Sequence, residues 1–140
     1  MTRSILVAVD GSDESKAAAE FAARLAQSTH SGLELAYVLP DIIDPDLGSN
    51  LTERARAERT DHAHIMLQEL AQSVPRPNTS VETALLEGSP APRLAQEAKR
   101  SDIWLVVVGH RGRGAVERAL LGSVADRLTQ ISPKPVVVVR

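Results

Sequence analysis

Short apolar runs separated by helix-like segments constrain this chain more than any other feature of it. Runs at residues 5–9, 33–39, 80–86, 103–108 and 136–139 alternate with segments whose apolar residues recur at helical spacing. The runs at 5–9 and 103–108 are apolar throughout, which suits strands buried on both faces. Five strands alternating with four helices predict an α/β fold: a parallel sheet with helices on both sides. Each parallel crossover is right-handed and needs a helix to return the chain. A length of 140 residues fits one domain spanning 1–140. Aromatic residues make up only 2% of the chain, as Phe21, Tyr37 and Trp104, so the core is expected to be aliphatic.

Local signals mark where the elements begin and end. Ser12 is placed to cap the first helix, and Asp13 and Glu14 suit its positive end. Ala18, Phe21, Ala22 and Leu25 form its expected inner stripe, and Gly32 its stop. Pro40 ends the second strand and begins a loop, with a second proline at Pro45, that is expected to be the most mobile region. Asn50-Leu51-Thr52-Glu53 reads as a capping box for a long helix with Ala55, Ala63, Met66 and Leu70 inward. The opposite face carries Arg54, Arg56, Glu58, Arg59 and Asp61, expected in solvent, and Pro75 and Pro77 close the unit. Gly88-Ser89-Pro90 supplies a turn, a cap and a proline at the first helical position, ahead of Leu94, Ala95 and Ala98. Ser123-Val124-Ala125-Asp126 is a second capping-box pattern, and Val124, Leu128 and Ile131 share one face of the last helix.

Composition removes several function classes. A formal net charge of −2 offers no basic field for nucleic acid. The absence of cysteine excludes disulfides, thiolate nucleophiles and thiolate metal sites. The N-terminal apolar run is too short for a signal peptide or a membrane span, so a cytoplasmic protein is expected. His62 and His64 lie two apart on a helix and point to different faces, so they make no metal pair. His30 falls near a helix end, where it can interact with the dipole.

Two strand ends concentrate the chemistry. In open α/β sheets ligands sit beyond the carboxyl ends of strands, where strand order reverses. Asp10-Gly11-Ser12 follows the first strand; Gly109-His110-Arg111-Gly112-Arg113-Gly114 follows the fourth. With an order of 3-2-1-4-5, assumed from fold type, both would line one crevice. Glycines let backbone N–H groups converge on an anion, Arg111 and Arg113 add charge, and the helix opening at Gly122-Ser123 favours phosphate. The Ser123 hydroxyl can donate to a phosphate or assist Mg²⁺. Asp10 can accept from an adenine amino group or a ribose hydroxyl, or simply cap the turn. No Walker loop and no Ser/His/Asp arrangement occurs.

These residues resemble the ATP-binding universal stress proteins. The spacing Gly109-x2-Gly112-x9-Gly122-Ser123 matches that family's nucleotide signature, and the opening strand with Asp10-Gly11-Ser12, Gly88-Ser89-Pro90, residues 120–125 and Pro133-x-Pro135 with four valines agree with it. The resemblance implies the order 3-2-1-4-5, ATP in the crevice and a homodimer through Val136–Val139, an apolar edge that pairing would cover. It implies that Asp10 and the Val38 backbone hold the adenosine side. Gly109 and Gly112 would lie along ribose and phosphates, with Gly122, Ser123 and Val124 at the phosphate end. One departure is the distance from Asp102 to Gly109, about two residues longer than in the family, which predicts a long fourth strand or a bulge near Trp104.

The function expected from all of this is an ATP-binding regulator of the stress response: a dimeric, nucleotide-dependent signalling module rather than an enzyme, acting on an unknown protein partner. A slow ATPase or nucleotidyl-transfer enzyme of the same fold is the alternative. A scaffold with a vestigial nucleotide site is the third reading.

Overall fold

The computed structural model describes residues 2–41, 49–75, 78–111 and 121–140, with the backbone alone at 49–52. The order of elements is β1 (Ser4–Ala8), α1 (Asp13–Ser28), β2 (Gly32–Leu39), α2 (Ser49–Ser73), β3 (Val81–Glu87), α3 (Pro90–Glu97), β4 (Ile103–Gly109), α4 (Ser123–Ile131) and β5 (Val136–Val139). All pairings are parallel, and the sheet order is β3-β2-β1-β4-β5. The expected doubly wound topology is therefore the observed one.

Alternation of side chains along each strand sorts the core into two layers. Ile5, Val7, Leu33, Leu35 and Val107 pack under α1 and α2. Leu6, Ala36, Val38, Val106 and Val108 pack under α3 and α4 with Leu94 and Leu128. Each fully buried aliphatic side chain contributes about 1.5–3 kcal/mol relative to exposure.

Helix α1 begins as expected: the Ser15 N–H donates to the Ser12 hydroxyl at 3.2 Å. Its inner face differs. Ser15, Ala18, Ala19, Ala22, Ala23 and Ala26 are buried, whereas Phe21 is 41% exposed. A face of alanines lets the helix lie close on the sheet, and a phenyl ring fits only on its flank. Nor does Gly32 stop α1. His30 takes the left-handed turn, at φ 53°, and Gly32 already belongs to β2. A Cβ on Gly32 would lie 2.8 Å from the Ser4 hydroxyl and 2.9 Å from that of Ser80, so a larger residue there would require those two side chains to shift.

Helix α2 already contains Ser49 and Asn50, so Asn50 lies inside the helix rather than capping it. The side chains of the proposed box at Asn50, Leu51 and Thr52 lie outside the described residues, as do Pro45 and Pro77. Ala63, Leu67 and Leu70 are its buried positions. Ser89 and Pro90 open α3 as expected, although the Ser89 side chain makes no cap hydrogen bond. In α4 the cap is Gly122 rather than Ser123. Gly122 holds the extended conformation of an N-cap, and Ser123 becomes the first helical residue.

Of the long strand or bulge expected near Trp104, the register shows a bulge. Ser4 pairs with Ile103 and Ile5 with Leu105, leaving Trp104 as the extra residue. Its indole N–H donates to the Ser31 hydroxyl at 3.0 Å, and the Arg3 guanidinium sits 4.4 Å from the ring centroid.

Candidate functional site

Because the strands are parallel, Asp10, Pro40 and His110 emerge together at the carboxyl edge of the sheet. The order reverses at β1, which pairs with both β2 and β4, so this edge is the topological switch point. A cavity of about 310 Å³ opens there on the α3/α4 side, walled by Asp10, Val38, Pro40, Pro90, Leu94 and Val124. Its size falls at the small end of small-molecule sites, and it is apolar except for a few polar groups, as such sites usually are.

Asp10 both braces a turn and faces the cavity. The Ser12 N–H donates to its carboxylate at 2.9 Å. Its own N–H donates to the Ser15 hydroxyl at 3.3 Å, which in turn donates to the Ser12 carbonyl at 3.0 Å. Gly11, at φ 84°, supplies the left-handed residue the turn needs. Asp10 thus caps the turn, as expected, and also lines the cavity.

On the β4 side, close packing governs the first signature glycine. A Cβ on Gly109 would lie 2.9 Å from the Glu14 carbonyl oxygen, so glycine admits the first turn of α1. The His110 N–H donates to the Val139 carbonyl at 2.8 Å, and its carbonyl accepts from the Gly122 N–H at 2.6 Å. These bonds hold the start of the loop against the start of α4. They also commit the Gly122 N–H. The first-turn N–H groups of Ser123 and Val124 remain, with no side-chain cap over them, which is the arrangement that receives anions. His110 keeps a buried Nδ1 without a hydrogen-bond partner among the described residues. Arg111 leans toward Glu14, its Nη2 at 3.7 Å from Oε1. Gly112, Arg113 and Gly114 lie outside the described residues.

Several lining positions escape sequence reasoning: Tyr37 and Pro40 beside Val38, Leu94 on α3, and Val108 at the end of β4. Their common signal is position at a carboxyl strand end or on the facing helix. Arg59, expected in solvent, is half-buried and lines a second cavity under α2. Among the described residues no group of three or more His, Asp or Glu side chains is placed to hold a metal ion.

The family model described as the universal stress protein family matches residues 1–140. The chain belongs to the universal stress protein family. A universal stress protein of Thermus aquaticus is 34% identical over 142 residues, with both chains covered in full. Universal stress protein Rv1996 of Mycobacterium tuberculosis is 34% identical over 151 residues, covering 96% of this chain and 47% of its own length. The chain thus spans about half the length of the mycobacterial relatives it matches. Among solved structures, the universal stress protein UspA of Lactobacillus plantarum aligns with a TM-score of 0.79 at 28% identity, over 99% of this chain and 97% of that one. Two others share the fold: a universal stress protein in complex with cAMP, at TM-score 0.73 and 23% identity over 99% and 97% of the two chains, and one from Archaeoglobus fulgidus in complex with dAMP, at 0.61 and 22% over 99% and 98%. Among the described residues of this universal stress protein, no helix is long and apolar enough to cross a membrane.

Proposed function

We propose that this universal stress protein domain binds ATP at the carboxyl edge of its sheet and acts as a nucleotide-dependent regulator. The adenosine would occupy the cavity beside Asp10 and the Val38 backbone. The phosphates would run past Gly109 and His110 to the N–H groups of Ser123 and Val124, with Arg111 and the loop at Gly112, Arg113 and Gly114 alongside. Mg²⁺ would ride on the phosphates near the Ser123 hydroxyl. The observation that carries this reading is the pairing of an apolar cavity ending in a carboxylate with an uncapped helix N-terminus at one switch point. Two neighbours of the same fold, solved as complexes with cAMP and dAMP, support it.

We read the domain, residues 1–140, as a cytoplasmic homodimer joined through β5, an edge strand of four valines, that signals to a protein partner. Binding without turnover fits the cleft, since Asp10 is the one carboxylate lining it among the described residues and already accepts from Ser12. A slow ATPase or nucleotidyl-transfer enzyme would instead sustain turnover above roughly 1 s⁻¹.

Isothermal titration with ATP and Mg²⁺ tests the reading, expecting saturable binding that Asp10→Ala and Gly122→Ala both weaken. Gly122 sits at φ −67°, a conformation alanine also adopts, so the second variant reads the cleft rather than the fold. No binding, or binding indifferent to both changes, overturns it. Mass spectrometry of nucleotide released on denaturing the purified protein distinguishes ATP from AMP as the natural ligand.

A further inference from the structure

A second cavity, of about 330 Å³, lies on the other side of the same strand end, between β2 and α2. Arg59, His62, Ala63 and Met66 come from one face of α2, at the three-, four- and seven-residue spacings that align on a helix. Tyr37 and Leu39 face them from β2, and Asp10 closes the rim. Asp10 and Tyr37 also line the cleft under α3 and α4, so the two cavities share a wall.

Three polar side chains of this cavity, Arg59, His62 and Tyr37, are not spent on the fold. Arg56, one turn earlier, pairs with Asp41 at 3.6 Å. Arg59 has no ion-pair partner among the described residues, and neither the Tyr37 hydroxyl nor the His62 ring has a hydrogen-bond partner there. A half-buried guanidinium beside an imidazole and a phenol is a donor set for an oxyanion. The opposite rim differs in kind: Asp10 accepts and repels anions, so it selects a hydroxyl. Between the two, Leu39, Ala63 and Met66 form an apolar floor for a carbon skeleton.

We infer that this cavity binds a compact, hydroxylated organic phosphate of the sugar-phosphate class. Its phosphate would sit at Arg59 and His62 and its hydroxyls at Asp10 and Tyr37. The assignment does not depend on what fills the neighbouring cleft. Because a wall is shared, occupancy of either cavity is expected to change affinity at the other, reciprocally.

Titration of ¹⁵N-labelled protein with ribose 5-phosphate, with and without ATP, tests this. Amide shifts centred on Tyr37, Ala63 and Met66 are expected in both conditions. Arg59→Met should weaken the sugar phosphate by at least about tenfold, the loss of a hydrogen bond to a charged group. ATP affinity of the same variant, measured on its own, should stay unchanged in the absence of the sugar phosphate. If ATP fails to bind at all, the nucleotide reading fails while the dependence on Arg59 still decides this one. Ribose 5-phosphate that shifts nothing, that ATP displaces competitively, or that binds Arg59→Met equally well overturns the inference. So does inorganic phosphate binding as tightly as the sugar phosphate, because the hydroxyl-selecting rim would then contribute nothing.

Discussion

The two ends of the sheet handle their polar groups in opposite ways. At the amino end, charges are paired with one another. The Arg100 guanidinium donates to Glu34 at 2.5 Å and to Asp102 at 2.6 Å, and reaches Glu97 at 3.4 Å. Lys134 donates to the carbonyls of Arg100 and Ile103. At the carboxyl end, the first turn of α4 is uncapped, and Arg59, Tyr37, His62 and the His110 Nδ1 have no partner among the described residues. The Glu34 Oε1 is the exception at the amino end, buried without a partner among the described residues, and burial without pairing costs stability. The amino end contributes to stability and the carboxyl end is left able to bind.

Breaking the amino end gives the largest expected effect. Arg100→Ala strands Glu34, which is only 3% exposed and whose Oε1 already lacks a partner among the described residues. Removing one partner of a buried ion pair typically costs about 3–5 kcal/mol. The Arg100 side chain is 42% exposed, so water screens part of the loss and about 2–3 kcal/mol is expected. Urea unfolding measures it. The loss should shrink in acid as Glu34 takes up a proton, and nucleotide binding should be unaffected once the protein is folded. An unchanged midpoint would show that the amino end is ordinary surface charge.

The carboxyl end responds in the reverse sense. Ser123→Asp places a carboxylate in the first turn of α4, where the helix dipole favours it by about 0.3–1 kcal/mol. The same carboxylate would stand where a phosphate is proposed to bind. Stability should rise slightly while ATP affinity falls by about tenfold or more, the two moving apart. Thermal melts without ligand and titration with ATP read the two arms. Affinity that holds or rises with the added charge would place the phosphates elsewhere.

This contrast also marks what was legible in the sequence. Apolar runs and turn residues are local, and they placed nearly every strand and the strand end at Asp10, whereas the irregularity near Trp104 was legible only through the family resemblance. The strand order matched the one assumed from fold type. Features set by residues distant in sequence were not legible. Glu34 and Arg100 are 66 positions apart, and nothing near Glu34 signals its burial inside an apolar strand. Gly109 is a glycine because the Glu14 backbone approaches it, and Gly32 lies between the Ser4 and Ser80 hydroxyls rather than at a helix stop. Phe21 fits the helical period as well as the alanines do, and only the closeness of α1 to the sheet sets it on the flank. Arg59 looked like one charge in an alternating row until β2 placed Tyr37 opposite it.

The smallest effect tests the balance within the amino end. Burial raises the Glu34 pKa above its usual 4.5, and the pull of Arg100 offsets this only in part. An acid that holds its proton more tightly when folded stabilises the protein most below its usual pKa. That contribution is lost as pH rises through the folded value. Glutamine cannot titrate. The stability of the wild type relative to Glu34→Gln should therefore fall as pH rises from the usual glutamate range through the raised folded value, and then level off. Asp102 works in the opposite direction: its hydrogen bond from Arg100 lowers its pKa, a contribution present above the usual value and lost in acid. It is present in both proteins and largely cancels in the difference. A difference that instead grows with pH would mean that Arg100 outweighs the burial of Glu34. The pair would then be a net source of stability rather than a charge the fold tolerates.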